Sequence, residues 1–348
     1  MNYYTLDRIL PYKCTYNILL GQRSNGKSYA VKKEVVKEAF LGMGDLIYLR
    51  RWHLELKQDD VTDYFADCPV KEITGGEYDC IEVYRSRIYL GKRGEDGKVT
   101  RGRSIGRTAD LAGATHLKSV IQRGQYKNIL YEEFCTDSGF LRNEPNILMQ
   151  FVATVFGIQY TGRVWLIGNT VSRYNPYFFA WSLKSLAKMK PGDIDIYRYQ
   201  DGESEVSIAV EFCSSLNVDN GMFIGDAKAN ITTGVWETQS QPQIPESFGK
   251  FSVVYATEIE HQDFRFLLKI IQNKEKERLL LCVNAGEKES CRRKVSDQID
   301  GDPMHTTKLL PLTKGDKLTL QLIQRGKLVY ANNLVGTDFQ AILKNVAI

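Results

Sequence analysis

Gly21-Gln22-Arg23-Ser24-Asn25-Gly26-Lys27-Ser28 sits between a short apolar run, Tyr16-Asn17-Ile18-Leu19-Leu20, and a segment of helical period. Glycines let such a loop curl until its backbone N–H groups point inward at phosphate oxygens, and the following helix adds its positive end. In this pattern the lysine, Lys27, reaches the β- and γ-phosphates and the hydroxyl of Ser28 sits on Mg²⁺. The setting of strand, loop and helix predicts a nucleoside triphosphate site for ATP and Mg²⁺. Gly21, Arg23, Gly26, Lys27 and Ser28 are its candidate nucleotide contacts.

Working outward, Ala30, Val31, Val35, Ala39 and Phe40 recur at helical spacing while Lys32, Lys33, Glu34, Lys37 and Glu38 fill the other face. Gly42 and Gly44 stop that helix. Leu46–Leu49, Ile129–Tyr131 and Val164–Ile167 read as buried strands, with a helix over Asn146–Phe156. Short apolar strands separated by amphipathic helices imply an α/β fold, a parallel sheet with helices on both faces. After about residue 190 turn signals accumulate, and Thr238–Gly249 is polar. Strands are expected at Phe251–Tyr255 and Arg278–Val283, and a closing helix at Asp338–Val346. The expected division is a P-loop ATPase domain over 1–198, a linker region over 199–228 and a smaller C-terminal α/β domain over 229–348.

The third strand runs straight into Glu132-Glu133. In P-loop ATPases with an additional central strand (the ASCE type), an acid at this strand end helps hold Mg²⁺ and the carboxylate after it polarises the attacking water. Neighbours on an extended chain point different ways, which suits that division of labour. Glu132 is therefore the candidate metal residue with Ser28, and Glu133 the candidate base. The first position is usually Asp; Glu132 departs from that. The fourth strand ends at Gly168-Asn169, and Asn169 is the candidate sensor of the γ-phosphate.

The 348 residues suffice for two domains. A hydrophobic share of 43%, a charged share of 25% and a net charge of +4 fit an ordinary globular protein. Seven cysteines without a CxxC pair point away from zinc ribbons and redox motifs and suggest reduced thiols. No apolar run approaches the length of a membrane span, so a cytoplasmic protein with no membrane partner is expected. Basic charge is concentrated locally: Arg85, Arg87, Lys92, Arg93, Lys98, Arg101, Arg103 and Arg107, opposed only by Glu95 and Asp96 and jointed by glycines. This suggests a strand, a mobile hairpin and a flexible return that can meet nucleic-acid phosphates, those of DNA favoured, without reading bases. Lys92, Arg93, Lys98, Arg101, Arg103 and Arg107 are the candidate contacts.

Several further stretches carry a family resemblance: Tyr48-Leu49-Arg50-Arg51, Glu132-Glu133-Phe134, Thr154-Val155-Phe156, Asn169 through Phe178, and Asp219 through Asp226. On these residues the chain resembles the DNA-packaging ATPases, or encapsidation proteins, of small podophages that prime replication with a terminal protein. The resemblance implies a ring ATPase, a pentamer, that drives double-stranded DNA through the portal of an empty capsid in the host cytoplasm. It also implies a C-terminal domain like an inactive RNase-H-type nuclease, docked on the portal protein or its structural RNA. Glu258, Glu260 and Asp263 do not make a convincing two-metal centre there. Ring motors complete each site with a positive residue in trans. Lys118 matches a family lysine, and Arg163 is what remains of an Arg-rich run, with Arg142 or Arg123 as alternatives. A small-molecule kinase and a non-catalytic, nucleotide-gated nucleic-acid scaffold share the loop and stay open as other readings.

Overall fold

A computed structural model describes residues 3–114, 124–136, 139–157, 162–170, 172–201, 204–214, 228, 232, 236, 238–261, 264–275, 277–286, 294–296 and 312–346. The chain divides into two compact units, Met1–Trp236 and Glu237–Ile348.

The first unit is built on nine strands: β1 (Tyr16–Leu20), β2 (Asp45–Arg50), β3 (Cys80–Tyr84), β4 (Arg87–Arg93), β5 (Val99–Asp110), β6 (Tyr126–Glu132), β7 (Arg163–Ile167), β8 (Ile194–Asp201) and β9 (Ser204–Phe212). Their order in the sheet is β3-β4-β5-β2-β6-β7-β1-β9-β8. The six central strands from β5 to β9 are mutually parallel. β3 and β4 at one edge and β8 at the other run antiparallel to their neighbours. The helices are α1 (Lys27–Phe40), α2 (Gln58–Tyr64), α3 (Val70–Ile73), α4 (Glu144–Phe156) and α5 (Pro176–Ala180).

Strand alternation explains why both faces need covering. On β1, Tyr16, Ile18 and Leu20 face a core that holds Leu148, Phe151 and Val152 of α4. Leu19 between them faces the opposite core, with Val31, Val35 and Val36 of α1. Trp165 of β7 is fully buried, and its indole N–H donates to Asn128 Oδ1 on β6 at 3.2 Å. β7 lies between β1 and β6, which is the additional strand that the acid pair implied.

Two expectations are corrected. The hairpin β8–β9 does not leave the first unit at residue 198: β9 pairs in parallel with β1, from Tyr16↔Ile208 to Leu20↔Phe212. Its buried Ile208, Ala209, Val210 and Phe212 make it a sheet strand, and it pairs with β8 as far as Asp201↔Ser204. The basic stretch is likewise no loose return. β4 and β5 form an antiparallel ladder whose turn is closed by Gly94 N–H donating to Lys98 O at 2.8 Å. β5 then passes to parallel pairing with β2, where Gly106 lies so close that a Cβ would meet Leu46 O at 2.3 Å.

The second unit carries the antiparallel strands β10 (Ser252–His261), β11 (Phe264–Asn273) and β12 (Arg278–Ala285). A parallel strand flanks each side, β13 (Lys294–Ser296) on β10 and β14 (Leu328–Tyr330) on β12. Helices α6 (Lys314–Gln324) and α7 (Asn333–Val346) complete it. Phe266 of β11 packs edge-on against Phe339 of α7, and Thr313 with Asp316 forms a capping box at the start of α6. Glu258 and Glu260 are buried on β10, whereas Asp263 lies outside the described residues. Among the described residues no cluster of three metal-binding side chains occurs and no helix is long and apolar enough to cross a membrane. The six described cysteines are unpaired, and Cys291 lies outside the described residues.

Candidate active site

The loop after β1 is shaped by backbone that only some residues tolerate. Gly21 has φ 142° and Gly26 φ 97°, both in the region that favours glycine, and Ser24 joins them at φ 58°. Inside the curl, Lys27 is 5% exposed. Its Nζ donates to Gln22 O at 2.6 Å, to Asn25 Oδ1 at 3.2 Å and to Gly21 O at 3.3 Å. Burial pushes the ammonium pKa down. A phosphate oxygen would give this cation a charge-assisted partner stronger than those neutral acceptors. The loop borders a cavity of about 730 Å³. Arg23, Gly26, Lys27 and Ser28 line one side of it, and Glu132, Glu133 and Asn169 line it from the ends of β6 and β7.

The two acids sit in different surroundings. Glu132, the last residue of β6, is 9% exposed, and burial pushes its carboxyl pKa up. Its Oε1 accepts from Ser28 Oγ at 2.5 Å and its Oε2 from the Tyr64 hydroxyl at 3.1 Å. Hydroxyl and carboxylate oxygens are the hard donors that Mg²⁺ selects, so Ser28 and Glu132 fit the ion. Glu133 turns out of the strand at φ 55°, and its side chain is 59% exposed. Arg50 Nη2 holds its carboxylate at 2.7 Å and also contacts Glu55 Oε1 at 2.9 Å. An exposed carboxylate on the cavity wall is placed to orient water.

A buried polar network behind this wall escapes sequence reasoning. Arg51 Nε donates to Glu144 Oε2 at 2.8 Å, and both side chains are buried. The same guanidinium donates to Phe134 O at 2.7 Å and to Glu133 O at 3.3 Å. Glu144, in the first turn of α4, also accepts from the hydroxyls of Tyr131 and Tyr177 and from Leu141 N–H, each at 2.8 Å. The turn that carries Glu133 is thus pinned through its carbonyls. The only sequence signal is the pair Arg50-Arg51 at the end of an apolar strand.

The other predicted residues that are described lie apart from the lining of the cavity. Arg163, at the amino end of β7, is ion-paired with Glu38 of α1 and its guanidinium lies 5.4 Å from the Trp165 ring. Arg142 is exposed just before α4. Lys118 and Arg123 lie outside the described residues. On the basic hairpin, Lys92, Arg93 and Lys98 project into solvent, Lys98 beside Asp96 at 3.4 Å. Arg101 is paired with Glu82 at 2.6 Å and covers the Tyr84 ring at 3.9 Å. Arg103 donates to Ala39 O at 2.9 Å and Phe40 O at 3.0 Å, capping the carboxyl end of α1. Arg107 is half-buried beside Tyr126. Only the first three of the six therefore point wholly outward.

The chain is similar to known proteins. The sequence profile of the podovirus DNA encapsidation protein (Gp16) family matches residues 1–216. The DNA packaging protein of Bacillus phage phi29 is 31% identical over 280 residues, which is 73% of each chain. That of Bacillus phage B103 is 30% identical over 178 residues, half of each chain, so the match spans about half the length of that relative. Among solved structures, a chain of the bacteriophage Phi-29 viral genome packaging motor assembly shares the fold, with a TM-score of 0.57 at 20% identity over 98% of this chain and 99% of that one.

The Arg51–Glu144 pair yields a stability prediction. Glu144→Ala leaves a buried guanidinium without its counter-ion, so urea unfolding of the protein should show a loss of about 3–5 kcal/mol. A loss below ~1 kcal/mol would show that the network is not what pins this wall.

Proposed function

The chain belongs to the podovirus DNA encapsidation protein family, and from that membership we propose that it is an ATP-hydrolysing motor that moves double-stranded viral DNA into a preformed capsid. The observation that carries this reading is the meeting of two halves of a hydrolytic site on one cavity: Lys27 and Ser28 from the loop, Glu132 and Glu133 from β6. A small-molecule kinase or a non-catalytic scaffold has less use for an exposed second carboxylate held by its own arginine.

In this reading the loop backbone and Lys27 cradle the β- and γ-phosphates. Ser28 and Glu132 would hold Mg²⁺, which when bound would supply positive charge beside the phosphates. Glu133 orients the attacking water, and Arg50 sets where its carboxylate points. Asn169, on the same cavity, is placed to sense the γ-phosphate. A positive residue from a neighbouring copy completes the charge balance in a ring, which we take to be a pentamer. We assign that charge to Arg163 or Arg142, the two candidate arginines that are described; Arg163 must give up Glu38 to serve. Duplex DNA meets the outward Lys92, Arg93 and Lys98, with Arg101, Arg103 and Arg107 shaping the hairpin behind them. The unit Glu237–Ile348 is the docking domain, for the portal protein or its structural RNA.

Glu133→Gln should bind ATP normally yet slow phosphate release at least ~100-fold; turnover near that of the unaltered protein would remove Glu133 from the chemistry. Replacing Lys92, Arg93 and Lys98 by Ala should weaken duplex binding whatever the sequence. It should also flatten the slope of affinity against salt, by about one for each phosphate that the protein no longer neutralises. An unchanged slope would place the DNA interface elsewhere.

A further inference from the structure

Glu132 has one more rotatable bond than an aspartate, so a buried carboxylate on this arm needs something to fix both its oxygens. Ser28 Oγ engages Oε1 at 2.5 Å. The second oxygen is engaged from an unexpected quarter: Tyr64, the last residue of α2, in the excursion between β2 and β3, donates its hydroxyl to Oε2 at 3.1 Å. Tyr64 is itself immobilised. Its ring centroid is 4.7 Å from that of Tyr48 and 5.0 Å from that of Phe65, and Lys32 Nζ stands 4.3 Å from its centroid. Lys32 Nζ also donates to the Tyr64 carbonyl at 2.6 Å and is ion-paired with Asp67, which closes the carboxyl end of α2 onto α1.

We propose that Tyr64 is the positioning residue of the magnesium site, its hydroxyl holding Glu132 so that Oε1 and Ser28 Oγ form one face of hard oxygens for the cation. The proposal rests on the reading of Ser28 and Glu132 as that site. Outer partners that orient a metal-binding carboxylate typically govern 10–100-fold in metal affinity. Here the outer partner comes from α2, so the cation site is tied to an element that contributes no residue to the cavity lining.

The test compares affinity for a fluorescent ATP analogue with Mg²⁺ and with EDTA, in the full-length protein. Tyr64→Phe keeps the ring contacts and removes only the hydroxyl. It should cut the gain in affinity that Mg²⁺ confers by about 10-fold or more, with affinity in EDTA and the melting temperature unchanged. Glu132→Asp withdraws the carboxylate by one methylene, so adding Tyr64→Phe to it should weaken binding no further. The proposal is overturned if Tyr64→Phe leaves the Mg²⁺ gain intact, if it weakens binding equally in EDTA, or if the two changes simply add. Glu132→Ala separates the premises: if it too leaves the Mg²⁺ gain intact, the reading of the metal site fails along with the proposal. If only Tyr64→Phe is silent, the site stands and Tyr64 does not position it.

Discussion

The parallel register of β1, β7 and β6 is the constraint from which the site follows. Leu19 pairs with Ile167, and Ile167 pairs with Glu132, so the three strands end level. Parallel strands must all hand their chains over at the same sheet edge. The phosphate loop, Asn169 and the acid pair therefore emerge side by side although they are far apart in sequence. β1 and β6 stand two strand spacings apart, about 10 Å. The first turn of α1 and the long arm of Glu132 bridge that gap through Ser28.

What the sheet brings together, two adjacent arginines then hold in place. Alternation along β2 and past its end sends Arg50 and Arg51 different ways. Arg51 goes inward to Glu144 and takes the carbonyls of Glu133 and Phe134, which fixes backbone. Arg50 goes to the Glu133 carboxylate, which fixes the side chain. A non-glycine residue at φ 55° persists only where its surroundings over-determine it. These interactions supply that, and they do so at the wall of the cavity.

The local parts of this arrangement are legible in the sequence because their signals are local. The β1 strand, α1, β6, β7 and α4 announce themselves by apolar period and by glycine and acid punctuation within a short window. The failures share a different cause. The pairing of β9 with β1 joins residues nearly two hundred positions apart, so the boundary expected at residue 198 cuts β8 and leaves β9 in the linker region. Charge marks Arg103 as a candidate DNA contact but says nothing about the carbonyls of Ala39 and Phe40 that it also holds. Tyr64 and Glu144 give no warning, since each acquires its role from partners 68 and 93 residues away. Side chains that work through long-range hydrogen bonds leave no period to read.

A motor of this kind must couple nucleotide chemistry at the cavity to duplex DNA. The most direct measurement is phosphate release by the purified protein with and without duplex DNA of unrelated sequences, alongside Lys27→Ala. Coupling predicts turnover that rises with any duplex, that declines as salt loosens the DNA, and that disappears in Lys27→Ala. Turnover indifferent to DNA, or retained without Lys27, would contradict it.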